Sequence, residues 1–163
     1  MKVQVRKVLG LVGASVFGLV AFAQETDTLF PVAAAQSDLY EITSSELALE
    51  RAASEAVRTY AQTMINHHTM TTEQLTPIAE ELGLTPPTET TAAAQLDIAY
   101  LETLEGAAFD TAYMEQQQVS HEAAVAAFEI ASETAQNADL KAFATENLPI
   151  IEEHLTMVQE MTE

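Results

Sequence analysis

From residue 37 to the end of the chain, apolar side chains return every three or four positions with only short interruptions. A chain that keeps this period buries itself as packed α-helices rather than as sheet. Ser37-Asp38 supplies a cap for a first helix near residues 38–53, in which Leu39, Ile42, Leu49 and Ala53 form the stripe and Glu46 interrupts it. Val57, Ala61, Met64, His68, Leu75, Ile78, Ala79 and Leu82 mark a second helix that stops at Gly83. Pro77 lies inside that pattern and predicts a kink or break between Thr72 and Pro77, and Pro86-Pro87 reads as a loop. A third helix is expected from about 91 to 105, burying Leu96, Ala99, Tyr100 and Leu104. A fourth is expected from about 109 to 133, with Phe109, Ala112, Tyr113, Gln116, Val119, Ala123, Ala127, Phe128 and Ala131 near its inner face. Asn137-Ala138-Asp139 turns the chain into a fifth helix carrying Leu140, Phe143, Leu148, Ile151, His154, Leu155, Val158 and Met161, with Pro149 as a second kink. The expected fold class is all-α, an antiparallel bundle of about four to five helices. No internal repeat, strand or second domain is legible. Five glycines in 163 residues leave little room for a turn-rich β fold.

The N-terminus has a different design. Lys2, Arg6 and Lys7 precede an uncharged apolar run from Val8, and Ala21-Phe22-Ala23 stands before Gln24. These are the three parts of a secretory signal peptide, and the run is shorter than the ~20 residues of a permanent membrane helix. The expected organisation is a signal peptide at 1–23, a lead-in at 24–36 without sustained period, and a bundle domain at 37–163. The expected location is the periplasm, with secretion or outer-membrane association as alternatives, and no transmembrane helix is expected in the mature chain. Cleavage would leave Arg51, Arg58 and Lys141 against 25 acidic residues, a net charge of 3 − 25 = −22. Such a surface repels phosphates and anionic headgroups, which excludes nucleic acid as a general partner and leaves cations or a basic protein. The absence of cysteine excludes disulfides, thiolate metal sites and a cysteine nucleophile.

The residues able to carry chemistry are few. His68, His121 and His154 fall on or beside apolar stripes, whereas His67 is rotated about 100° from His68 and reads as solvated. An inward histidine with a nearby carboxylate can hold a metal ion, and facing helices of a bundle commonly build such sites. If the first two helices reverse near Ser54, Glu41 and His68 share a layer. Glu41, His68, His121 and His154 are therefore the candidate metal ligands, for Fe, Cu, Zn or Mn; the alternative is that the histidines are satisfied core residues. Counting from the last turn puts His121 and His154 roughly 8 Å apart in depth, so a shared ion would require a register shift at Pro149. The paired Glu-x-x-His of di-iron bundles is missing, because Ile65, Gln118 and Ile151 occupy the positions three before the histidines. The methionines read as core filling rather than copper ligands. Asp110 reads as a cap at the start of the fourth helix. No catalytic residue is assigned.

Several segments in order carry a family resemblance: Glu41-Ile-Thr-Ser-Ser-Glu-Leu-Ala-Leu-Glu50, Val57-Arg-Thr-Tyr-Ala-Gln-Thr-Met-Ile-Asn-His-His68 and Gly106-Ala-Ala-Phe-Asp-Thr-Ala-Tyr113. His121, Lys141-Ala-Phe-Ala144, Leu148-Pro149 and His154 complete the series. Over about residues 30–160 the chain resembles the exported bacterial family called domain of unknown function 4142. That resemblance implies a ferritin-like four-helix bundle and no established reaction. The family pattern has Asp before the histidine of the second helix, where this chain has His67. The leading functional expectation is a non-catalytic binding or envelope stress-related protein. The alternatives are a metal-binding or redox bundle built on the residues above, and an acidic structural partner of a basic protein.

Overall fold

The computed structural model describes residues 14–162, with side-chain environments from residue 25 onward. Residues 1–13 of the expected signal peptide, with their basic side chains, lie outside the described residues. Five helices follow in order: α1 (Ala14–Arg51), α2 (Glu55–Glu81), α3 (Ala92–Leu101), α4 (Gly106–Thr134) and α5 (Ala138–Thr162). α1 and α2 form one hairpin and α4 and α5 another. α1 packs on α4 and α2 on α5, and short α3 crosses over against α1 and α4. The result is a four-helix bundle with one long connection. There is no strand among the described residues, and an isolated bridge joins Ala52 to Gly106. No described helix is long and apolar enough to cross a membrane.

Local signals explain two of the helix boundaries. At the end of α2, Gly83 takes a φ of 75°, while its N–H bonds the Glu80 carbonyl and that of Leu84 bonds Ala79. This Schellman turn needs a residue that tolerates the left-handed region, which glycine does without strain. Thr91 caps α3 by accepting from the Ala94 N–H. The break expected before Pro77 does not form. α2 runs through it, and the lost backbone donor costs one ladder bond in a helix held on both sides by packing. α1 also runs through residues 24–36 with Pro31 inside it, and Phe30 and Ala34 from that stretch are buried.

Two side chains tie the hairpins together. Asp110, on α4, does not cap its own helix: its carboxylate accepts from the N–H groups of Ala53 and Ser54 in the α1–α2 turn, at 3.0 and 2.9 Å. Asp27, on α1, does the same for Gln136 and Asn137 in the α4–α5 turn, both at 2.9 Å. Donors and acceptors are each separated by 83 residues (27 to 110, 53 to 136, 54 to 137). The two hairpins are thus register equivalents that clasp each other reciprocally. No such repeat is visible in the sequence, because equivalent positions carry different residues: Phe30 corresponds to Tyr113, Met64 to Asn147 and Asp38 to His121, all buried.

The interior has three zones. One apolar cluster gathers Ala48, Tyr60, Met64, Phe109, Tyr113 and Val158 at the α1–α2 turn end. A second gathers Phe30, Leu75, Phe128, Leu140, Phe143 and Ile151 at the other end. Between them lies a buried polar layer that includes Asp38, Glu41, Ser44, Ser45, His68, Thr71, Gln117, His121 and His154. Eight residues expected on inner faces lie outside: Leu49, Ala53, Leu96, Ala99, Tyr100, Val119, Ala123 and Met161 are exposed, and Leu101 and Gln117 point inward instead.

Candidate metal centre

The middle of each long helix contributes to the polar layer. α1 brings Asp38 and Glu41, α2 His68 and Thr71, α4 Gln117 and His121, and α5 His154. His68, His121 and His154 are 3%, 1% and 1% exposed, and one ligand atom from each lies within 4.8 Å of the others. Their rings meet at centroid distances of 5.3 to 5.9 Å.

The hydrogen bonds orient the rings in a consistent way. His68 Nδ1 donates to Asp38 Oδ1 at 2.7 Å, and His121 Nδ1 donates to the Gln117 carbonyl at 2.9 Å. His154 uses Nε2, which lies 2.6 Å from Nδ1 of His67. The opposite nitrogen of each ring, Nε2 of His68, Nε2 of His121 and Nδ1 of His154, is buried with no hydrogen-bond partner. Buried polar atoms are nearly always paired, so three orphans on three converging rings need an explanation. An imidazole that spends one nitrogen on a carboxylate or carbonyl presents a fixed lone pair on the other, which is how metal-ligating histidines are held.

Electrostatics separates the three rings. Burial disfavours the imidazolium of His68, but the Asp38 hydrogen bond and the charges of Glu41 and Asp38 outweigh it, and its pKa rises above the ordinary value. Burial lowers that of His121, with Glu41 opposing and His68 reinforcing. Burial, then His68, His121 and His67, push His154 down to about 2. His121 and His154 are therefore neutral donors at neutral pH, the form that binds metal.

The sequence candidates meet unequally. The three histidines converge, while Glu41 stands outside the cluster of ligand atoms; its Oε1 accepts from the Ser120 hydroxyl, and its Oε2 is buried without a partner. The depth mismatch expected for His121 and His154 is smaller than the turn count suggested. Counted from residue 136, they lie 15 and 18 residues away, about 4.5 Å apart in depth. Side chains lean toward their helix N-terminus, so His154 leans back toward the turn, His121 leans away from it, and the rings converge without a register shift.

Two neighbours escaped the sequence reading. Asp38 is no cap: it sits mid-helix, 5% exposed, accepting from His68 and from the hydroxyls of Thr71 and Thr72. His67 is half-buried rather than solvated and stacks on His154, with centroids 4.9 Å apart and planes at 19°. A 100° rotation from His68 carries it to the α2–α5 seam, not to open water. Asp38 was detectable, since Phe30, Ala34, Asp38, Glu41, Ser45, Ala48 and Ala52 make an unbroken three-four stripe once α1 is extended.

The comparisons agree with this architecture. The profile of the family described as "Domain of unknown function (DUF4142)" matches residues 20–161. No curated protein matches the chain. Among solved structures, a crystal structure of a DUF305 fragment from Deinococcus radiodurans superposes with a TM-score of 0.75 at 14% identity, over 86% of this chain and 97% of that one. At that identity the likeness speaks for the fold alone.

Proposed function

The chain belongs to the domain of unknown function 4142 family, and on that premise we propose that it is a metal-binding bundle whose ligands are His68, His121 and His154. The observation that carries this reading is the set of three buried, unpartnered ring nitrogens, each on a ring anchored through its other nitrogen. Imidazole donors suit Zn, Cu or Fe, and three imidazole ligands leave room for a further one. Fe, Cu, Zn and Mn are therefore the ions to compare. The apolar run and Ala21-Phe22-Ala23 support export, so the proposed setting is the cell envelope, with binding rather than catalysis as the task.

Titration of the metal-free, untagged protein with each ion tests this. One equivalent is expected to bind, and His121→Ala and His154→Ala are expected to weaken binding by at least about 100-fold. Unchanged affinity in both variants would show that the cluster is not the site.

A further inference from the structure

A groove of about 540 Å³ runs between α1, α3 and α4. The charged side chains on its described walls, Asp97 and Glu115, are both acidic and both exposed. Ser120 belongs to this wall, and its hydroxyl donates to Glu41 Oε1. One side chain therefore separates the groove from a carboxyl that is 1% exposed and whose second oxygen has no partner. Within the layer, Glu41 lies one turn along α1 from Asp38, the residue that bonds His68, and its charge bears on His68 and His121.

The charge of this layer is unbalanced. Asp38 and Glu41 are both buried, and the arginine ion pairs among the described residues go elsewhere, Arg51 to Glu105 and Arg58 to Glu55. Buried carboxylates are costly unless a counter-charge meets them. His68 Nδ1 meets Asp38 at 2.7 Å, whereas no ion pair among the described residues reaches Glu41, and a divalent ion would supply its counter-charge.

We infer that divalent cations reach the three histidines through the α1–α3–α4 groove, and that Glu41 is the carboxyl that receives the ion from the groove and balances its charge. This rests on the metal-binding reading above. The acidic mouth concentrates cations by steering, Ser120 yields Glu41 to the arriving ion, and Glu41 passes it to rings already oriented by Asp38 and the Gln117 carbonyl. The competing route is the α2–α5 seam at half-buried His67.

Rapid mixing of the metal-free full chain with Co²⁺, followed by visible absorption, decides between the routes. Ala94→Trp fills the groove without touching the histidine layer. It is expected to slow association and dissociation in step, by about fivefold or more, with affinity unchanged. Glu115→Lys is expected to slow association at low salt, with the difference shrinking as ionic strength passes about 0.15 M. Glu41→Gln is expected to lower the ratio of Co²⁺ to Cu⁺ affinity by about tenfold or more, because it removes a balancing charge. Wild-type rates in both Ala94→Trp and Glu115→Lys, or slowing confined to His67→Trp, would overturn the route. An unchanged Co²⁺ to Cu⁺ ratio in Glu41→Gln would overturn the charge role. A wild-type chain that binds no metal would instead sink the metal reading and the route with it, so the two failures are distinguishable.

Discussion

Asp38 accepts from three donors, His68 Nδ1, Thr71 and Thr72, and thereby fixes a ring whose free nitrogen faces two others. Removing this support should matter nearly as much as removing a ligand: Asp38→Asn is expected to weaken metal affinity about 10–100-fold in equilibrium titration, and an unchanged constant would deny Asp38 its orienting role. The rings also set a pH dependence in the metal-free chain. His154 has a folded pKa far below the ordinary imidazole value, so the unfolded chain binds protons that the fold refuses. Its contribution to stability is complete above the unfolded pKa of about 6.5 and declines as pH falls below it, by ~1.4 kcal/mol between pH 7.5 and 5.5. His68, raised in the fold, works in the opposite sense: its contribution is complete below about 6.5 and fades as pH rises through its folded pKa. Urea unfolding at the two pH values should show wild type losing about 1.4 kcal/mol more than His154→Gln, and equal losses would contradict the assignment. At this scale the sequence displayed the histidines and Glu41 plainly. Asp38 and His67 were hidden because a capping motif and a one-residue rotation each offered a simpler reading.

At the scale of elements, the phase of α1 shows why a functional layer is hard to see. Its inner stripe carries Asp38, Glu41 and Ser45 at mid-length, while Leu39 and Ile42 are half-buried and Leu49 is exposed. The apolar period therefore pointed to the wrong face where the site lies, a local conflict of the kind functional sites produce. α2 and α5 keep apolar residues on the inner face around their histidines, and their faces were read correctly except at Met161 near the end of α5. The reciprocal clasp had no sequence signal beyond two unremarkable aspartates. Since Asp27 and Asp110 each accept two backbone N–H groups of a turn, Asp27→Ala and Asp110→Ala should each lower unfolding free energy by about 1–2 kcal/mol in chemical denaturation. A loss confined to one variant would deny the equivalence of the hairpins.

For the whole molecule, two apolar clusters carry the fold and the polar layer between them stabilises it only when its charges are met. Helical class, hairpin order and family were legible because they depend on period and punctuation spread along the chain. The meeting of the histidines depended on side-chain direction across two helices, which residue counting alone does not supply. Binding to the folded state must raise stability by mass action: free metal at about 100 times the dissociation constant should add ~2.7 kcal/mol, raising the melting temperature by about 5–10 °C. A melting temperature indifferent to saturating metal would separate binding from the folded layer. X-ray absorption of the protein loaded with one equivalent of Zn²⁺ is the most direct test of the centre itself. Three imidazole nitrogens at about 2.0–2.1 Å are expected, reduced by one in His121→Ala; a shell of oxygens alone, unchanged by that substitution, would place the ion elsewhere on this acidic surface.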